Sequence, residues 1–329
     1  MPTALVTGAT GFIGGRLAEC LVEQGWAVKL LVRNADKLTP SLKTAADIVV
    51  GDLADAAALA RAVSQVDIIF HCAANVNTWD SWSAYYQANV LGVKNLLQAI
   101  AKQNPDLSRL VHVSSVDVYG FPVIPSTEGG QLSGAGFGYG ESKLQGELLV
   151  REFCTAVGMP FTIIRPANVI GPDSQFIKRI GAELKSGIML TIDGGQANAG
   201  LIYIDNLVDY LIWAACAANS VGECYTTRDA YDVKWTIFLE QFKTSIAGKG
   251  IVINLSFSFA DLFAKGFEYF YRVFLPGREP MLHRLLVRFF GRTCGHSAEK
   301  IQNHSAYLGK IKFDQAMALS CSWFLAQSK

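Results

Sequence analysis

In the first half of the chain, short continuous apolar runs rich in β-branched residues alternate with longer stretches whose apolar positions recur at helical spacing. The runs at residues 3–7 (TALVT), 27–32 (AVKLLV), 47–52 (DIVVGD), 67–74 (DIIFHCAA), 109–115 (RLVHVSS) and 161–166 (FTIIRP) read as strands. Helices are predicted over 12–25, ending on Gly25, over 82–102 and over 139–157. Strands that are apolar throughout, separated by helices, imply a parallel sheet covered on both faces. The fold class is therefore α/β: a doubly wound parallel sheet of the nucleotide-binding Rossmann kind, with a smaller, mostly helical C-terminal lobe. After Pro166 the alternation fades, leaving a short strand at 200–204, a helix at 206–218 and a strand at 222–227. The stretch RPANVIGP breaks periodicity with two prolines and a glycine. The expected division is a nucleotide-binding domain over 1–168 and a substrate-binding lobe over 169–329, with some interleaving of the second into the first sheet.

Composition narrows the functional classes. With 29 Lys and Arg against 28 Asp and Glu, the net charge of +1 offers no global field for nucleic acid. The seven cysteines are scattered and never spaced C-x-x-C, which argues against a disulfide framework and against a zinc site. His71 and His112 lie on strands without clustered carboxylates, so both read as structural residues and no metal is expected. The chain enters a strand at once, so no leader is expected, and it shows no charge-free apolar run of membrane-spanning length. A reduced, cytoplasmic setting is the expectation.

The first chemical motif is TGATGFIG, between the first strand and the first helix. Gly8, Gly11 and Gly14 permit a tight turn and close backbone approach to a pyrophosphate, and the helix N-terminus attracts anions. A plain glycine turn is the bland alternative. Thr10, Phe12 and Ile13 complete the loop, and Ala73 and Ala74 at the end of the fourth strand border the same place. Asp52, with Leu53, stands where an adenine would lie, or else caps the next helix. At the end of the second strand, an acidic residue would favour a ribose 2′-hydroxyl and an arginine a 2′-phosphate. Here Arg33 occupies that point with Lys37 nearby, which predicts NADP(H) in preference to NAD(H). Arg16 either assists that phosphate or is a solvated helix residue.

The motifs GATGFIG, HCAA, NVLGVKNLL, SSVDVYG, YGESK and RPANVIGP follow one another in an order and at intervals that resemble the extended short-chain dehydrogenase/reductase family. The resemblance covers roughly residues 3–210. It implies that Tyr139 is the general acid/base, that Lys143 tunes it and holds the nicotinamide ribose, and that Ser115, four positions before Tyr119, bonds the reacting oxygen. It also places Asn89, Pro166 and Val169 near the cofactor, and Asn75, Asn77 and Asn168 near the substrate. The residue types suit the chemistry, because a free phenol with a pKa of ~10 is a poor base and a neighbouring ammonium lowers it.

Within that family, sugar 4,6-dehydratases resemble one another in carrying Asp-Glu after the catalytic Ser or Thr, whereas this chain has Val116 and Asp117. Nucleotide-sugar enzymes commonly place an arginine where this chain has about Ala199. Residues 257–274 are dense in aromatics, with Phe259, Phe263, Phe267, Phe270 and Phe274 in one stripe, and Arg284, Arg288 and Arg292 follow opposite a Leu/Phe face. This region resembles the 3β-hydroxysteroid dehydrogenase branch. The reading is an NADPH-dependent reductase/dehydrogenase interconverting a ketone and a secondary alcohol on a bulky apolar molecule, either steroid-like or a long-chain β-keto acid. A nucleotide-sugar epimerase and a non-enzymatic NADP-binding sensor or scaffold stay open. The aromatic stripe reads either as core or as a wall for an apolar substrate, with the basic face of 257–292 resting on a membrane. Helices 82–102 and 139–157 match those that join relatives into homodimers.

Overall fold

The computed structural model describes residues 2–327 apart from Pro276. Its apolar runs become strands β1 (Thr3–Thr7), β2 (Ala27–Val32), β3 (Asp47–Val50), β4 (Ile68–His71), β5 (Arg109–Val113) and β6 (Phe161–Pro166), then β7 (Asn168–Ile170), β8 (Ile188–Ile192), β9 (Leu201–Tyr203), β10 (Cys224–Thr227) and β11 (Ile251–Leu255). Seven of them form one parallel sheet in the order β10-β6-β5-β4-β1-β2-β3. The order reverses between β1 and β4, so the crevice at their C-terminal ends is the place where such sheets take ligands.

Both faces of the sheet are covered. Leu5, Leu31, Ile69 and Ile163 pack against the helices that carry Leu59, Leu96, Leu97 and Val150. Val6, Leu30, Phe70 and Ile164 pack on the other face against Leu17, Leu21, Leu207 and Leu211. Each such fully buried apolar side chain contributes about 1.5–3 kcal/mol, which is why Leu, Ile, Val and Phe fill most positions of these strands.

The strands stop earlier than their apolar runs. β4 ends at His71 and β5 at Val113, so Cys72–Ala74 and Ser114–Ser115 leave the ladder and form the rim of the crevice. β10 lies beyond Pro166 in sequence yet pairs with β6, so the chain returns to the first sheet after most of it is built. Two short parallel pairs, β7 with β9 and β8 with β11, and the helix Gln175–Ser186 make up much of the second lobe. The helix expected over 82–102 is interrupted: Trp82–Tyr86 and Gly92–Gln103 are α-helical, and Gln87–Leu91 between them is a π turn.

Candidate active site

At the end of β1 the chain turns on Gly8, whose φ of +77° favours glycine and whose Cβ, if present, would lie 2.8 Å from the Ala73 amide nitrogen. The helix Phe12–Glu23 starts at Gly11, with no side-chain cap and no acidic residue in its first turn. Its free N–H groups therefore favour an anion at this point of the crevice. Thr10, Phe12, Ile13, Gly14, Ala73 and Ala74 line the same cleft.

Arg33 and Lys37 stand exposed on the cleft wall after β2, and among the described residues neither has an ion-pair or hydrogen-bond partner. These two uncommitted cations leave that part of the cleft wall positively charged. Arg16, by contrast, is spent: its Nε donates to Asp205 at 2.7 Å, joining two helices. Asp52 and Leu53 also line the cleft. Asp52 does not cap the following helix; Asp55 does, accepting from the amides of Ala57 and Ala58 at 3.0 and 2.9 Å.

Tyr139 and Lys143 lie one turn apart on the helix Gly138–Val157. Asn89, inside the π turn, fixes that helix: its Nδ2 donates to Ser142 Oγ at 2.9 Å and to the Asn75 carbonyl at 3.0 Å, while its Oδ1 accepts from the Asn75 amide at 2.7 Å. Gly146 lets the two helices close, since a Cβ there would collide with the Asn89 carbonyl oxygen. Ser115 and Tyr139 face the cleft. Ser114 turns inward and donates to Glu147 at 2.7 Å, leaving Ser115 as the hydroxyl on the open side. Lys143 and Asn89 are buried behind the cleft wall, with Lys143 Nζ donating to the Val113 carbonyl at 2.6 Å.

The electrostatics follow from burial. Desolvation pushes the Tyr139 phenol above its ordinary value and the Asp117 carboxylate adds to this, with a hydrogen bond with Ser115 working the other way. Desolvation also raises Asp117 itself, to about 6. It lowers Lys143 to about 8, against the opposing pull of Glu147 and Cys72. His71 and His112 are buried and stacked 5.4 Å apart beneath this site; burial, with the Lys143 charge adding, keeps both imidazoles neutral.

The remaining expected residues are brought to the same place. Pro166, Asn168 and Val169 line the cleft, although the Asn168 amide already donates to the Ala199 carbonyl at 2.6 Å. Asn75 and Asn77 line it too, both bonded to Asp80 at 2.9 and 3.1 Å. The cleft holds about 1820 Å³, against roughly 300–1,000 Å³ for a site that takes one drug-sized ligand, so it has room for more than one such molecule.

The far wall departs from expectation. No residue of the helix Phe257–Phe274 borders the cleft; the apolar wall is Met281, Leu282, Leu285, Leu286, Phe289 and Phe290, the opposite side of the arginine-bearing helix Arg284–Gly291. Its three arginines point back at the preceding helix and its N-terminus. Arg284 pairs with Glu268 at 2.9 Å, Arg288 pairs with Asp261 at 3.1 Å, and Arg292 stacks 3.7 Å over Phe257. Glu279 fastens the segment between the helices across the cleft mouth, accepting from Thr78 at 2.7 Å and Arg179 at 2.9 Å. Its bond to His283 and these two hold the carboxyl down at about 2. The residue spacing gave no sign of Trp79, Glu279 or Met281. The alternation of leucine and phenylalanine with arginine after residue 280 was the one available signal for the wall.

Residues 4–226 match the family model described as the NAD dependent epimerase/dehydratase family. A Stigmatella aurantiaca protein named 4-hydroxy-2-methyl-3-oxo-4-farnesyl-3,4-dihydroquinoline-1-oxide ketoreductase is 27% identical over 317 residues, covering 95% of this chain and 93% of that one. A 2-alkyl-3-oxoalkanoate reductase from Stenotrophomonas maltophilia is 26% identical, covering 95% and 96%. A 3 beta-hydroxysteroid dehydrogenase/Delta 5-->4-isomerase of Mycobacterium tuberculosis is 30% identical over 251 residues, 69% of this chain and 64% of that one.

Proposed function

The chain belongs to the NAD-dependent epimerase/dehydratase family, and from that premise we propose that it is an NADPH-dependent reductase/dehydrogenase acting on a ketone of a bulky, apolar molecule. The observation that carries this reading is one cleft in which Ser115 and Tyr139 face an aliphatic and aromatic wall, Leu282, Leu285, Leu286 and Phe289. Relatives whose names describe a farnesylated ketone, an alkyl oxoalkanoate and a steroid support the same class of substrate.

The loop Gly8–Gly14, Arg33, Lys37 and Asp52 would hold the dinucleotide; Lys143, expected to hold its ribose, lies behind the cleft wall instead. When bound, the dinucleotide supplies the hydride. The chain's own residues manage the carbonyl oxygen. Ser115 donates a hydrogen bond that orients it, and Tyr139, kept protonated by burial and by Asp117, delivers the proton. The raised phenol is protonated at neutral pH and so holds the proton that a developing alkoxide takes up in reduction. Lys143 keeps positive charge under the site, anchored by the Val113 carbonyl. The apolar wall excludes water from the reacting oxygen and strengthens both hydrogen bonds.

The test is NADPH oxidation by the purified protein across apolar ketones, β-keto acids and nucleotide sugars. Turnover is expected with one of the first two classes and none with the sugars; sugar epimerisation without net cofactor consumption would replace this reading. In the same assay Arg33→Asp is expected to lower the NADPH-to-NADH ratio of kcat/KM by about tenfold or more, the worth of one charge-assisted hydrogen bond. An unchanged ratio would remove the 2′-phosphate assignment.

A further inference from the structure

The helix Phe257–Phe274 carries its aromatic residues outward. Only Ala260, Ala264 and Glu268 are buried on it, whereas Phe259, Leu262, Phe263, Phe270, Val273 and Phe274 recur at helical spacing on the exposed arc, with Leu262 69% and Phe274 63% accessible. Tyr269, 71% accessible, lies at the edge of that arc. A contiguous apolar face of this kind on a water-facing helix marks a contact surface.

Charge decides what the contact is. Both acidic side chains of the helix are turned inward and neutralised, Asp261 by Arg288 and Glu268 by Arg284. The exposed charges that remain on the helix are both cationic, Lys265 and Arg272 along one flank of the arc; beyond its end Arg278 is followed by Glu279, which is tied to Arg179. Arg272 also lies 5.3 Å over the ring of Trp79, which borders the cleft mouth. An apolar arc with a cationic flank and no outward acid fits an anionic lipid surface. In a two-fold pairing of this face with itself, a second copy would set the same cationic flank against it. Among the described residues no helix is long and apolar enough to cross a membrane, so the geometry is that of a helix lying in the interface.

We propose that the Phe257–Phe274 face docks on anionic membrane, with Phe259, Phe263 and Phe270 inserted among the acyl chains and Lys265 and Arg272 at the headgroups. The docked face adjoins the segment that crosses the cleft mouth, so an apolar molecule dissolved in the bilayer has a short path to the wall formed by Leu285 and Phe289. The docking itself does not depend on which substrate the cleft takes.

The experiment is co-sedimentation of the full chain with vesicles of phosphatidylcholine alone and of phosphatidylcholine with about one-third phosphatidylglycerol, at roughly 0.1 M and 1 M salt. Binding is expected with the anionic vesicles, weakened at high salt. The Phe263→Glu/Phe270→Glu double variant should bind at least tenfold less, with an unchanged melting temperature and unchanged NADPH binding. Lys265→Glu/Arg272→Glu should lose the preference for anionic lipid. No sedimentation with either vesicle, or equal sedimentation with both, overturns the proposal. So does a dimeric mass in solution that becomes monomeric in the phenylalanine variant, which would assign the face to a second copy. All of these readouts are independent of turnover, so failure here and failure of the ketone reading are separable.

Discussion

Tyr139→Phe is expected to lower kcat for ketone reduction by about 10²–10⁴-fold, the range for loss of a positioned proton donor. Phenylalanine keeps the ring and removes only the hydroxyl, which lies in the cleft rather than in the core. NADPH affinity and the melting temperature should therefore stay at wild-type values. The size of the effect follows from the surroundings. Burial and the Asp117 carboxylate hold the phenol protonated through neutral pH, and Ser115 is the other hydroxyl facing the open side of β5, while Ser114 is committed to Glu147. A variant with full turnover would remove Tyr139 from the reaction.

The second large effect is on stability. Glu147→Ala is expected to destabilise the protein by about 3–5 kcal/mol, a large share of the ~5–15 kcal/mol that holds a typical domain together. The Glu147 side chain is fully buried and accepts from Ser114 at 2.7 Å and from Arg165 Nε at 3.0 Å. Removing it strands the Arg165 guanidinium, 1% exposed, beneath the active-site helix. Burial works to raise the Glu147 carboxyl, but Arg165, Ser114 and Arg151 together hold it below its ordinary value. A carboxylate depressed in the folded state stabilises above its unfolded pKa and ceases to do so as pH falls through the folded one. The wild type should thus lose stability in acid below pH ~4.5, and Glu147→Ala should flatten that dependence. Urea unfolding from neutral to acid pH measures both. Replacing the pair together, Glu147→Leu with Arg165→Met, should recover much of the loss; a single-variant cost under about 1 kcal/mol would contradict the assignment.

The central strands were legible because burial on both faces leaves them mostly apolar, as in IIF of β4 or LVHV of β5. The Gly8 turn and the spacing of Tyr139 and Lys143 were legible because they are local. What could not be read depends on partners distant in sequence. The π turn around Asn89 has no compositional mark; it exists where the helix must meet Gly146 and Asn75. Asp52 and Asp55 both precede the Ala56–Val63 helix, and only the turn closed by the Asp55 amide on the Asp52 carbonyl at 2.9 Å decides which one caps it. The aromatic stripe of 257–274 was visible, but not its direction. A stripe buried against a neighbour and a stripe facing outward have the same spacing, and the ion pairs to Arg284 and Arg288 settle which side turns in.

The central claim is net reduction of a carbonyl beside Tyr139. Its most direct test is a single turnover of the wild-type protein with NADPH deuterated at both C4 positions and the ketone that the substrate panel identifies, followed by mass spectrometry of the product. The account predicts one deuterium on the carbinol carbon of a secondary alcohol, with an equal amount of NADP⁺ formed. Product without deuterium, or an unchanged ketone with all the NADPH still reduced, would contradict it.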